Sequence, residues 1–185
     1  FPRAVAENVL ARSGELVIRP DPARTGRIRL SGRVVDVRGE PVTSARIVPT
    51  LLGTPGSPIE ECDGQTGRFE VGPYSPGTWS VLVQATGYVQ ARTPSVELAN
   101  GDAHEFGDIV LHRGGRLAVL GLSKGPGVGA RFTEGTGKEH ELYAIENRWF
   151  SDWLAEGRGW LVTGGGEVAL TARRVDVLAG ETQEV

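Results

Sequence analysis

The sequence has little cysteine and no methionine. Its 185 residues include one cysteine, Cys62, which excludes a disulfide within the chain. Cysteine content therefore does not assign a redox compartment. A chain without methionine that begins Phe1-Pro2-Arg3 is typical of a segment excised or processed from a longer protein, so targeting information is expected in the missing part.

Long apolar runs and concentrated positive charge are also missing. No apolar stretch approaches the roughly 18 residues that a membrane-spanning helix needs. Basic residues number 20 and acidic residues 23, for a net charge of −3, and no run rich in lysine and arginine could follow a phosphate backbone. We therefore expect no membrane span in this segment and no nucleic-acid partner.

Turn residues between short alternating apolar runs are abundant. In the stretch 31–48, Gly39-Glu40-Pro41 separates two such runs, which is typical of a β-hairpin because glycine accepts positive φ and proline has a fixed φ. Val81 and Val83 show the period of two expected of a half-buried strand. The pattern predicts strands near 28–37, 44–52, 68–72, 78–86, 94–98 and 105–111.

Three motifs follow one another in order between Gly32 and Tyr88: G-x-V-x-D-x-x-G-x-P-V-x-x-A, G-x-F-x-V and P-G-x-W-x-V-x-V-x-A-x-G-Y. Together they resemble the carboxypeptidase regulatory-like domain, which has a transthyretin-like (prealbumin-like) sandwich fold, over about residues 27–112. The resemblance is to an accessory sandwich and not to a catalytic domain. It implies an extracytoplasmic location: periplasmic, cell-surface or secreted.

A weaker second copy follows at an offset of about 80 residues. Pro126–Phe132 echoes Pro41–Ile47, and Arg148-Trp149-Phe150 matches Gly67-Arg68-Phe69. The chain is therefore predicted to be all-β, with two tandem small Greek-key β-sandwiches of transthyretin-like type. The predicted parts are a leader segment or edge strand from a preceding unit at 1–26, a first sandwich at 27–112 and a diverged second sandwich at 113–185, joined at Gly114-Gly115.

The second copy is predicted to place Phe150 and Trp160 in its core, at the positions of Phe69 and Trp79, and to point Trp149 to the opposite face. The stretch 149–156 could instead form one or two helical turns, and Gly164-Gly165-Gly166 is predicted to be a hairpin tip. Strands are predicted near 115–122, 128–133, 139–145, 148–151, 158–163, 166–177 and 182–185.

No catalytic or metal site is predicted. The histidines are isolated and outside any zinc-binding pattern; they are His104, His112 and His140. One group of acidic residues could approach a cation but does not match a calcium loop; its members are Asp36, Glu60, Glu61 and Asp63. We expect no metal and no cofactor, and a hydrolase activity would rest on fold analogy alone.

Aromatic residues gather in the second half, where planar rings could bind a sugar or anchor a protein interface. The candidate ligand-binding residues are Tyr143, Trp149 and Trp153. Packing at the seam between the sandwiches is the alternative. The first hypothesis is a non-catalytic structural and protein-interaction module of a larger exported or cell-surface bacterial protein, with a protein partner or neighbouring domains; the second is carbohydrate binding, with a glycan as partner.

Overall fold

The computed structural model describes residues 27–54, 59–122, 125, 127–146, 148–165 and 168–185, so the predicted leader at 1–26 lies outside the described residues. All regular structure in these ranges is β. The strands of the first half are β1 (Ile28–Asp36), β2 (Arg46–Leu51), β3 (Glu60–Glu61), β4 (Arg68–Tyr74), β5 (Gly77–Gln84), β6 (Ala91–Arg92), β7 (Val96–Leu98) and β8 (Ala103–Leu111).

The second half has its own set of strands. They are β9 (Arg116–Leu120), β10 (Gly129–Glu134), β11 (Glu139–Glu141), β12 (Tyr143–Ile145), β13 (Arg148–Phe150), β14 (Gly157–Gly165), β15 (Val168–Val177) and β16 (Thr182–Glu184). Among the described residues, no helix is long and apolar enough to cross a membrane.

The strands of the first half form two sheets, with orders β4-β1-β8 and β3-β2-β5-β6; β7 also pairs with β5. Strand β1 pairs antiparallel with β4 and parallel with β8. Alternation along β1 buries Ile28, Leu30 and Val34, because successive side chains of a strand point to opposite faces. Gly32 faces the Phe69 ring, and a Cβ there would lie 2.9 Å from the ring carbon Cζ. A glycine is therefore needed for Phe69 to pack across β1.

The second half repeats this pairing scheme. Its sheets have the orders β12-β13-β9-β16 and β11-β10-β14-β15, and β9, like β1, pairs antiparallel with one neighbour and parallel with the other. Each half has its own apolar cluster; the second contains Leu117, Val119, Ala130, Phe132, Leu142, Leu154, Leu161 and Val177. The prediction of an all-β chain with two tandem sandwiches is confirmed.

The predicted strand near 148–151 is confirmed, since Arg148–Phe150 is strand β13, and the alternative of helical turns over 149–156 is wrong. The predicted facing of the aromatic residues in the second half is also wrong. Trp160 is 53% exposed and not in the core. The register explains this: Phe132 pairs with Leu161 as Ile47 pairs with Val83.

Trp160 therefore occupies the position of Leu82 and not that of Trp79. This shift of three residues is odd, so it moves the side chain to the other face of the sheet. Gly159 takes the inward position instead, and a Cβ on it would lie 2.6 Å from the Phe132 ring carbon Cε2. The inward space beside Gly159 is filled by the Phe132 ring.

The positions of Trp149 and Phe150 are also reversed relative to the prediction. Trp149 packs against the second apolar cluster, and its indole Nε1 donates a hydrogen bond to the Leu122 carbonyl oxygen at 3.1 Å. Phe150 lies under the Arg116 guanidinium. The hairpin pairing of β14 with β15 is confirmed, while Gly166 of the predicted tip lies outside the described residues.

Candidate functional site

A cleft of about 610 Å³ lies between the two halves. Its volume falls in the range of roughly 300–1,000 Å³ that is usual for ligand sites. The first half contributes Thr43, Ser44, Arg46, Glu61, Gln84, Ala85, Thr86, Tyr88, Val89 and Gln90, and the second half contributes Arg116, Lys138, His140, Tyr143, Asp152 and Trp153.

A very short junction, Gly114-Gly115, joins the two halves beside the cleft. Gly114 donates its backbone N–H to the Gly87 carbonyl oxygen of the first half at 3.0 Å, and its own carbonyl accepts a bond from Gly180 of the second half at 2.9 Å. Gly115 and Leu154 exchange two backbone bonds at 2.9 and 2.8 Å. The junction is thus bonded to both halves.

The junction is also too crowded for side chains. A Cβ on Gly114 would lie 3.1 Å from Cγ2 of Val89 in the first half and 3.1 Å from Cβ of Trp153 in the second. A Cβ on Gly115 would overlap the Leu178 carbonyl oxygen. These glycines permit a close approach of the two halves that any other residue would obstruct.

Contacts with three residues hold the Arg116 side chain at the cleft. Its Nε donates to the Ser151 carbonyl oxygen at 3.0 Å, and its Nη2 donates to the Tyr143 hydroxyl oxygen. The guanidinium carbon lies 4.5 Å from the centroid of the Phe150 ring, which is a cation–π distance. Two hydrogen bonds and one ring therefore fix the orientation of this cation.

Arg116 is not among the site residues predicted from the sequence. Tyr143 and Ser151 lie 27 and 35 residues further along the chain, and only the pairing of β9, β12 and β13 brings them to the arginine. Nothing in the local sequence around Arg116 distinguishes it from other strand arginines.

Beside the cleft, Glu134 and His140 form a pair. The His140 Nε2 lies 2.7 Å from the Glu134 Oε1, and the Thr136 hydroxyl donates to Oε2 at 3.0 Å. Burial alone would raise the pKa of Glu134, but the hydrogen bonds from His140 and Thr136 and the nearby positive charges together hold this pKa below its usual value.

Two of the three residues predicted to bind a ligand line the same cleft. Tyr143, which is 41% exposed, and Trp153 both line the cleft. Trp149 lines a separate cavity of about 380 Å³. Its ring packs inward, so Trp149 and Trp153 do not belong to one cavity.

The acidic residues near residue 63 are engaged locally. Asp63 Oδ1 accepts backbone hydrogen bonds from Gln65 at 2.9 Å and Thr66 at 2.8 Å, and these bonds lower the pKa of the Asp63 carboxyl. Asp36 Oδ1 likewise accepts the N–H groups of Arg38 and Glu40. Both carboxylates therefore stabilise turns, and in the described ranges no three potential metal ligands cluster.

No family model and no curated protein matches the chain. Among solved structures, the Bacillus anthracis TIE protein aligns with 85% of this chain at 15% identity and a TM-score of 0.40. This chain spans 33% of that protein. The minor pilin of Streptococcus agalactiae aligns with 85% of this chain and 93% of its own length, at 14% identity and a TM-score of 0.36.

A streptococcal ancillary pilin aligns with 91% of this chain and 64% of its own length, at 12% identity and a TM-score of 0.38. At such low identities and TM-scores, these similarities say nothing about function.

Proposed function

We propose that this chain is a non-catalytic structural and protein-interaction module of a larger exported or cell-surface bacterial protein. Two sandwiches, at 27–112 and 113–185, are held in a set relative orientation by the Gly114-Gly115 junction. The observation that carries the proposal is the bonding of this junction, since Gly114 bonds to Gly87 on one side and to Gly180 on the other.

A fixed junction suits a spacer that presents a surface at a defined distance and angle. Strand β8 ends at Leu111 and β9 begins at Arg116, so too few residues lie between them for independent movement of the halves. The motif resemblance between Gly32 and Tyr88 supports the exported location, because the carboxypeptidase regulatory-like domains are mostly found outside the cytoplasm.

Insertion of Gly-Ser-Gly-Ser between Gly114 and Gly115 tests the proposal. We expect small-angle scattering to show a single orientation of the halves in the parent chain, and a larger radius of gyration with a broadened distance distribution in the insertion variant. The matched control carries the same insertion after Gly101, an exposed turn residue before β8 where a Cβ would have open space.

The control insertion should leave the overall dimensions close to those of the parent, because it lies within one half. Scattering from the parent chain that fits only a mixture of many relative orientations would refute the proposal.

A further inference from the structure

The Arg116 guanidinium is held by a carbonyl, a hydroxyl and an aromatic ring, and it makes no salt bridge with a described carboxylate. Salt bridges pair Arg29, Arg131, Arg148 and other arginines with carboxylates, whereas no described carboxylate oxygen lies within 4.0 Å of the Arg116 nitrogens. Arg116 is half-buried as a residue, and its guanidinium lies against the Phe150 ring. A cation that is oriented and partly removed from water is a place where an anion binds favourably.

Some N–H groups of the Arg116 guanidinium remain available to donate hydrogen bonds to a ligand. Nε is used by the Ser151 carbonyl, and Nη2 uses one of its two hydrogens for the Tyr143 hydroxyl. Nη1 makes no hydrogen bond to the described residues. Both hydrogens of Nη1 and one hydrogen of Nη2 are therefore available to donate to an anion.

The remaining charges of the cleft favour an anion near Arg116. Arg46 and Lys138 add two cations to the lining, against the carboxylates of Glu61 and Asp152. Glu61 stands directly opposite Arg46 in the β2–β3 pair, so these two charges offset one another. On the second-half wall, Arg116 and Lys138 supply two cations against the single carboxylate of Asp152.

The first-half wall is suited to a polypeptide backbone. It is lined by hydroxyl and amide side chains, which can donate to carbonyl oxygens and accept from N–H groups; these are Thr43, Ser44, Gln84, Thr86 and Gln90. On the opposite wall the Arg116 guanidinium lies at the hydroxyl end of the Tyr143 ring, with its carbon 5.6 Å from the ring centroid. The cleft therefore presents a cation beside this ring, and a cation favours a carboxylate over a neutral sugar.

We propose that the cleft binds an extended acidic peptide segment of a protein partner, with one carboxylate bound by the available N–H groups of Arg116. The inference rests on the proposed function, because the two walls come from different halves and need the fixed junction. Beyond the proposed function, the inference names the class of partner, an acidic peptide, and the residue that selects this partner, Arg116.

The probes are N-acetylated, C-amidated triglutamate and the matched neutral triglutamine. Titration followed by proton–nitrogen correlation spectra should show saturable shifts of the Arg116 Nε–H, the Trp153 indole and the side-chain amides of Gln84 and Gln90 with triglutamate only. Equal binding of the two peptides, or no saturable shift with either, would overturn the inference.

Arg116→Gln should weaken triglutamate binding by about tenfold or more, because a charge-assisted bond is lost. The control is Arg148→Gln, which removes an arginine bonded to Glu184 on the same sheet and should leave binding unchanged. Lys138→Gln provides a second variant at an exposed position, in case Arg116→Gln folds poorly, and should weaken binding several-fold. Unchanged binding in a folded Lys138→Gln variant, or equal weakening by Arg148→Gln, would contradict the inference.

Oligogalacturonate serves as the competing carboxylate source. Tighter, Arg116-dependent binding of this acidic sugar than of triglutamate would overturn the peptide assignment. If scattering shows a fixed junction while triglutamate does not bind, the cleft inference alone fails; if the halves move independently, the proposed function fails.

Discussion

Trp79 and Trp160 lie on inner strands of corresponding sheets but in opposite environments. Trp79 is 5% exposed, donates from Nε1 to the Ser75 carbonyl at 3.0 Å and stacks on Tyr74 at 4.8 Å between ring centroids. Trp160 stands on the outer face of its sheet, opposite Arg174 of β15. The two indoles therefore contribute very differently to stability, although the sequence repeat aligns them.

We expect Trp79→Ala to lower the free energy of unfolding by about 3–5 kcal/mol, since it removes a buried ring and leaves a cavity. Trp160→Ala should lower it by about 1 kcal/mol or less, because little buried contact is lost. Urea denaturation followed by circular dichroism measures both values. Equal losses in the two variants would contradict the reversed facing of Trp160.

The Glu134 carboxyl makes the folding stability of the second half depend on pH in the acidic range. The depressed pKa of its carboxyl means that the folded state holds the charged form more strongly than the unfolded chain, whose value is near 4.5. The resulting stabilisation is fully present above about pH 5 and is lost as the pH falls through the folded pKa of Glu134.

Glu134→Gln should therefore reduce stability at neutral pH and leave a smaller difference from the parent chain below the folded pKa. Thermal unfolding from pH 7 to pH 3 tests this expectation. Glu156→Gln, at an exposed position of the same half, is the matched control and should follow the parent curve. A difference between parent and Glu134→Gln that is independent of pH would refute the assignment.

At the scale of elements, the long edge strands are protected in different ways. Strand β4 carries Pro73, which lacks an N–H, and β8 contains Gly107 at a register irregularity against β1. Strand β15 is ten residues long and lies at the end of its sheet, with Arg173 and Arg174 exposed on opposite faces. Charged residues on such an edge oppose pairing with another chain.

Arg174→Val should promote self-association, because it removes a charge from the edge and extends the apolar surface beside Trp160. Sedimentation velocity at increasing protein concentration measures the effect. Arg148→Val is the control, since it removes an exposed arginine from β13, an inner strand of its sheet. The same association in both variants, or in neither, would show that the β15 edge is not protected by its charge.

At the scale of the whole molecule, the junction is predicted to couple the two halves in unfolding. Each half is small and buries a limited fraction of its surface, so each gains from the backbone bonds at Gly114 and Gly115. Gly115→Ala would place a Cβ 2.7 Å from Cγ1 of Val177, which lies in the second core. The strain should therefore begin in the second half.

We expect Gly115→Ala to lower the stability of the second half by about 1–3 kcal/mol. Hydrogen exchange should also accelerate at the Val89 amide of the first half, which bonds to the His112 carbonyl beside the junction. Gly129→Ala, where a Cβ meets no neighbour, is the control and should change neither quantity. Faster exchange confined to the second half would show that the halves are not coupled.

The alternation of apolar residues and the placement of turn residues were enough to predict the long strands, but not the two-residue strands β3 and β6 or the division of 139–145 into β11 and β12. Val81 and Val83 are buried as their period of two required, and β14 pairs with β15 as the hairpin pattern indicated. These features are local, because a strand's facing depends on near neighbours and a turn depends on the φ angles that its own residues allow. The sequence by itself therefore determined an all-β chain with a repeated unit.

The tertiary structure alone decided the facing of Trp160 and the surroundings of Arg116. A weak repeat does not fix strand register, and a shift by an odd number of residues exchanges the two faces of a strand. The cleft combines Arg116 and Tyr143 of one half with Arg46 of the other, and such long-range contacts leave no mark in the local sequence. The register of β14 and the close approach of the two halves at Gly114 depend on packing between segments that are distant in the sequence. Only the tertiary structure therefore shows them.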